Sequence, residues 1–299
     1  MILAIKVDVD TYRGTREGVP RLVELLKQHR AAATFLFSLG PDHTGRAISR
    51  AFRPGFFNKV TRTSVLKHYG VRTILYGTLL PGPDIGRRCA TQMRAVRDAG
   101  FEVGVHCWDH VRWQDKVGAA EADWTEREMR RALARFEEIF REKPQTWGAA
   151  GWQTNRHASW VEEVSFPYAS DTRGHSPFRP LWNGVAIGCP QLPTTLPTLD
   201  ELVGLDGVDE SNVADRLLSL TSRRQNHVFT AHAELEGGKF FASFDRLLAG
   251  WKAQGYMVVS LNSLYRSLDL EQLPRHEVIY GEIPGRSGTL ALQGQGGFL

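Results

Sequence analysis

The chain has 299 residues, 42% hydrophobic and 23% charged, with a net charge of +4 and a pI near 9.0. That composition excludes a disordered or collagenous chain and suits one large α/β domain or two small ones. No apolar run approaches the about 18 residues that a membrane span needs, and three scattered cysteines, Cys89, Cys107 and Cys189, exclude a disulfide framework and fit a reducing compartment. The basic balance permits an anionic partner, nucleic acid or lipid, without choosing one. The first residues carry two acids, Asp8 and Asp10, and no basic stretch before a long apolar core, so no signal peptide is expected and the default location is cytoplasmic.

Ile2 to Val9 is nearly all apolar, as a strand buried on both faces of a parallel sheet requires. Gly18 to Arg30 reads as a helix with Val19, Leu22, Val23, Leu25 and Leu26 as its apolar stripe. Ala31 to Leu39 is a second buried strand, stopped by Gly40-Pro41, and completes a β-α-β opening. From His43 to Gly86 the rhythm breaks into an insert rich in Arg and Lys, with little acid besides Asp84. Within it Arg46, Arg50 and Arg53 share one helical face, while Ala47, Ile48, Ala51 and Phe52 share another. With Phe56 and Phe57 following, this suits an anionic bilayer surface; it equally suits a helical excursion packed on the barrel with a solvated basic face.

The alternation then resumes. Ile85 to Ala99 reads as a helix, and Phe101 to Val105 as a strand that delivers His106 at its end. Thr125-Glu126-Arg127-Glu128 reads as a capping box opening a helix to about Glu142. Strands follow at Thr146 to Ala150, Phe166 to Ser170, Val185 to Leu192, His227 to Ala231 and Tyr256 to Leu261, with helices between them. Composition leaves the Gly-rich tail after Tyr280 loose or draped over the body. About seven strand–helix repeats, with no Gly-x-Gly-x-x-Gly after the first strand, favour a parallel barrel over a dinucleotide fold. No domain boundary stands out, so residues 1–299 read as one domain.

Asp8, Asp10, His106, His110, Asp171 and His232 all fall at or just beyond strand ends, which share one rim in parallel α/β folds. Asp8 and Asp10 leave the same face of a strand and would repel unless a cation or a shared proton intervened. His106 and His110 stand four apart, the spacing that puts two rings on one side of a helical turn. A divalent metal held by both histidines and one Asp answers the repulsion and leaves positions open, a catalytic arrangement. The other Asp is then free as a base, and His232 is placed to protonate a leaving nitrogen. Asp171 could orient or tune such a histidine. The donor set accepts Zn, Co, Mn or Fe. Trp108, Trp113, Trp124 and Trp152 line a groove or pack the core, and Cys107 is assigned no role.

These residues resemble the NodB-homology polysaccharide deacetylase family, whose motifs include an Asp pair, His-x-x-x-His and a late histidine. The resemblance implies a distorted (β/α)7-type barrel, Asp8 as general base, Asp10 with His106 and His110 as metal ligands, and His232 as general acid. Two features depart from the general pattern. The Asp pair is split by Val9, and Ala149-Ala150-Gly151 stands where an arginine usually buttresses the base, leaving Arg13 and Arg173 as candidates for that task. Longer stretches, residues 7–22, 149–152, 170–174, 177–180 and 232–237, look like the deformylases of that family that act on 4-deoxy-4-formamido-L-arabinose-phosphoundecaprenol. That closer resemblance implies an undecaprenyl-phosphate-linked formamido-arabinose substrate, formate as co-product, and a role in lipid A modification and polymyxin resistance. It also implies peripheral attachment to the inner face of the bacterial inner membrane, with residues 43–86 as the docking element on an anionic surface, and no nucleic-acid partner. A metal-dependent deacetylase of another N-acyl sugar is the alternative.

Overall fold

The computed structural model describes residues 1–51, 73 and 75–296. Its strands are, in order, β1 (Ile2–Val9), β2 (Thr34–Ser38), β3 (Glu102–Cys107), β4 (Thr146–Trp147), β5 (Tyr168–Ala169) and β6 (Arg179–Trp182). Then come β7 (Val185–Ala186), β8 (His227–His232), β9 (Met257–Val259), β10 (Arg275–Gly281) and β11 (Leu290–Gly296).

Strand β1 is the hub, buried from Leu3 to Val9 as its apolar run requires. One edge pairs with β8, from Leu3 opposite His227 to Asp8 opposite His232. The other pairs with β2 along Lys6 to Val9 and with β9 along Ile2 to Ala4. Beyond β2 follow β3, β4 and β5, and every pairing in this seven-stranded sheet is parallel. The expected distorted (β/α)7-type barrel is therefore present. Between β5 and β8 the extended segment 191–195 bridges the gap: Leu192 N–H donates to Ala169 O at 2.8 Å, and Thr195 N–H donates to Val228 O at 3.0 Å. Helices Val19–Gln28, Ala122–Phe140 and Phe241–Ala253 cover the outside, burying Leu22, Leu26, Met129, Phe136, Phe244 and Trp251 against the strands.

Three expectations change, and one open reading is decided. Residues 85–99 form two helices, Ile85–Arg88 and Ala90–Asp98, broken at Cys89. Helix Ala122–Phe140 starts before Thr125, whose hydroxyl donates back to Glu121 O at 3.1 Å; the capping box lies instead at Thr198 and Glu201. Val185 to Leu192 does not form one strand: β7 ends at Ala186, and Gln191 makes separate bridges to Ala169 and Phe178. Of the tail after Tyr280, Leu290–Gly296 forms β11, which joins β10, β6 and β7 in a second, four-stranded sheet. Of the insert, helix Thr44–Ala51 is described, and Arg46 Nε donates to Gly77 O at 2.7 Å. Phe52, Arg53, Phe56 and Phe57, on which the docking reading rests, lie outside the described residues, as does the side chain of Arg50.

Candidate active site

At the carboxyl rim of the sheet the structure brings Asp10, His106 and His110 together. One ligating atom from each lies within 4.8 Å of the others. His106 sits inside β3 and is fully buried, while His110 opens helix His110–Lys116, whose first turn Asp109 caps by accepting Arg112 N–H at 3.1 Å. The four-residue spacing therefore works across a strand–turn–helix junction rather than along one helical turn. The His43 ring pairs with Asp109 at 2.6 Å and so steadies that junction.

His106 Nδ1 lies 2.6 Å from Gly148 O, which can only accept, so Nδ1 carries the hydrogen and Nε2 presents a lone pair. That Nε2 lies 3.1 Å from Asp10 Oδ1, and both atoms are buried without a hydrogen-bond partner. His110 Nε2 is 3.4 Å from Asp10 Oδ2. Two buried lone pairs facing each other call for a proton or a cation between them, and with His110 as third donor the set fits a divalent metal. Burial alone would raise the pKa of Asp10, but His110 and His106 outweigh it and hold the carboxylate ionised.

Asp8 stands behind this group, 3% exposed, with Oδ1 unpartnered and Oδ2 3.6 Å from Lys6 Nζ. Lys6 is fully buried; its ammonium also donates to Ser170 O at 2.9 Å and lies 5.4 Å from the centre of the Trp152 ring. Lys6 is thus the cation beside Asp8, a residue that the sequence motifs do not include. The signal is local: it is the one basic residue inside an apolar strand, two residues before Asp8 and on the same face. Arg13 and Arg173 are engaged elsewhere. Arg13 Nε donates to Glu17 at 2.8 Å, and Arg173 grips Glu201 at 2.7 and 2.9 Å.

His232 ends β8 opposite Asp8, and its ring meets the buried Trp152 edge-on at 6.2 Å. Burial disfavours its imidazolium, yet Asp200, Asp10, Glu236 and Asp8 together push it up to about 9. Glu236 also accepts the His232 backbone N–H at 2.6 Å. Asp200, in the short helix Leu199–Leu202, carries no local sequence signal for this part, since the loop before it brings it to the rim.

Asp171 does not serve as the partner of that histidine. It is fully buried; Oδ1 accepts Ala149 N–H at 2.6 Å and Oδ2 accepts Gln191 Nε2 at 2.9 Å. Burial raises its pKa, and the adjacent buried Glu162 is raised further by burial and by Asp171. Asp171 therefore secures the loop that carries Gly148 and Trp152, which touch His106 and His232 respectively. Of the four tryptophans considered, Trp113 and Trp152 are both 1% exposed, and Trp152 is the one against the site. Cys107 is buried beside Ser38 at 3.3 Å with its thiol pushed well up, which suits packing rather than nucleophilic attack.

Known proteins resemble this chain in sequence and in fold. Residues 4–163 match the family model described as polysaccharide deacetylase. A protein of Shewanella sediminis (strain HAW-EB3), named "Probable 4-deoxy-4-formamido-L-arabinose-phosphoundecaprenol deformylase ArnD", is 37% identical over 292 residues, covering 97% of this chain and 94% of that protein. A protein of the same name from Wigglesworthia glossinidia brevipalpis is 29% identical over 282 residues, covering 94% of this chain and 98% of its own length. A Mycobacterium smegmatis crystal structure assigned as a polysaccharide deacetylase superposes with a TM-score of 0.64 at 16% identity, covering 94% of each chain, a likeness of fold.

Proposed function

The chain belongs to the polysaccharide deacetylase family, and from that premise we propose that it is a metal-dependent hydrolase that deformylates 4-deoxy-4-formamido-L-arabinose-phosphoundecaprenol. The products are the 4-amino sugar lipid and formate. The observation that carries the chemistry is the pair of facing lone pairs on Asp10 and His106, with Asp8 and His232 opposite each other on the adjoining strands β1 and β8. The substrate follows from the name of the Shewanella relative, which this chain matches along nearly its whole length.

Asp10, His106 and His110 would hold a divalent cation, which supplies Lewis-acid polarisation of the formamide carbonyl and a lowered pKa for water. Asp8 takes the proton of the attacking water as the C–O bond forms. Lys6 Nζ, 3.6 Å from Asp8 Oδ2, holds that carboxylate in place. His232, protonated at neutral pH, gives its proton to the nitrogen as the C–N bond breaks, and the Trp152 edge holds its ring in place. The rate of formate release should therefore fall as pH rises through the His232 pKa, and His232→Gln should lose that alkaline limb together with about 10²–10⁴-fold of the rate. Side-by-side turnover of the formamido lipid and its acetamido counterpart tests the substrate. Faster release of formate is expected; faster release of acetate would favour the alternative, a deacetylase of another N-acyl sugar.

Such a substrate keeps its lipid tail in the bilayer, so the reading places the enzyme peripherally on the inner face of the inner membrane and links it to lipid A modification and polymyxin resistance. Among the described residues no helix is long and apolar enough to cross a membrane. Residues 43–86 are the proposed docking element. Charge reversal at Arg46, Arg50 and Arg53 is expected to reduce co-sedimentation with anionic vesicles, and undiminished binding would exclude that element.

A further inference from the structure

Two stretches of close resemblance, 7–22 and 232–237, are only partly used by the catalytic centre. The first contributes Asp8 and Asp10, the second His232; their remaining residues meet each other. A Cβ on Gly14 would lie 2.0 Å from Glu234 Oε1, and one on Gly18 would lie 2.0 Å from Ala233 O, so glycine is what lets the two segments touch. Between them is a cavity of about 220 Å³ whose wall includes Thr11, Arg13, Glu17, Arg21, Glu234 and Lys239.

The lining has two kinds of unspent capacity. Glu17 is already covered by Arg13 at 2.8 Å and Arg16 at 2.7 Å. Arg21 uses Nη1 on Gly237 O at 2.7 Å and stacks 4.4 Å over Phe241, which fixes a guanidinium that has five N–H donors in all. Lys239 lies 4.3 Å over Phe240, and its ammonium is 3.6 Å from the exposed Glu210. A held guanidinium and an ammonium in one cavity suit a phosphate oxyanion. Glu234 offers the second capacity. Its Oε1 takes Asp10 N–H at 3.1 Å, Thr11 N–H at 2.7 Å and the Thr11 hydroxyl at 2.7 Å, while its buried Oε2 has no partner. A carboxyl oxygen without a partner is a hydrogen-bonding site for a sugar hydroxyl.

We propose that this cavity binds a glycosyl phosphodiester, with Arg21 and Lys239 on the phosphate and Glu234 on a hydroxyl of the sugar. The inference rests on the deformylase reading, in which the formamide is on C4 of the sugar and the phosphate is on the far side of the ring. It fits the placement of the cavity beside the catalytic centre, on the same two loops as Asp10 and His232, rather than within it.

The test uses the metal-loaded full chain and two ligands: a farnesyl phosphodiester of 4-deoxy-4-formamido-L-arabinose and the phosphate-free methyl glycoside of the same sugar. Direct binding by calorimetry is read first, then formate release. Arg21→Gln and Lys239→Gln are each expected to weaken phosphodiester binding about tenfold more than methyl glycoside binding, with the kinetic loss in KM, and Arg21→Lys to recover part of it. Equal loss on both ligands, or no loss on either, overturns the proposal. Charge-dependent phosphodiester binding without formate release would leave the subsite standing and sink the deformylase reading. Formate release with KM unmoved by the variants would do the reverse.

Discussion

Exchanging His106 for alanine is expected to empty the protein of divalent metal and to stop formate release. The ring contributes one of three donors, and Gly148 O holds its tautomer so that Nε2 faces Asp10. Loss of an outer partner to a metal ligand already costs 10–100-fold in affinity, so loss of the ligand itself should exceed about 100-fold. Gly148 O would also be left without its donor, at a cost of roughly 1–3 kcal/mol, so a melting curve accompanies the metal analysis. Asp8→Asn is the informative contrast. It should keep the metal while losing about 10²–10⁴-fold in rate, because Asp8 moves a proton instead of holding the cation. Full metal content in His106→Ala, or metal loss in Asp8→Asn, would show that these roles are misassigned.

The second large effect concerns Lys6. Lys6→Met keeps the length of the side chain and removes the charge beside a carboxylate that is itself 3% exposed. Breaking one side of a buried ion pair typically costs about 3–5 kcal/mol, because the surviving charge is stranded. The variant should therefore lower the denaturant midpoint and also lower kcat, since Asp8 loses the cation that holds it in place beside the site. The double variant Lys6→Met with Asp8→Asn removes both charges and should recover much of the lost stability while remaining inactive. A single variant as stable and as active as the parent would show that Lys6 is incidental to the base.

Much of this arrangement was legible in the chain, and what was not has identifiable causes. The apolar run of β1 and the polar residues at strand ends are local signals, and they converge on one rim because parallel strands share it. Lys6 is equally local, but a lone lysine in an apolar strand belongs to no metal or acid–base motif, and only the folded sheet sets it against Asp8. Asp200 and Glu236 act on His232 through space, and nothing in their own neighbourhoods announces that. Asp171 lies at a strand end as expected, but its bonds to Ala149 and Gln191 depend on where two distant segments settle. The second sheet escaped for a similar reason. Its strands β6 and β7 are short and β11 carries two glycines, and pairing across the fold rather than propensity makes them strands.

The central claim is that Asp10, His106 and His110 hold a cation that serves hydrolysis of a formamide on a lipid-linked sugar. The direct measurement is formate release from 4-deoxy-4-formamido-L-arabinose-phosphoundecaprenol by the purified protein, before chelation, after chelation, and after return of Zn, Co, Mn or Fe. Activity that disappears with the chelator and returns with at least one of these metals is the predicted result. Formate release that persists undiminished in the chelated protein would contradict it.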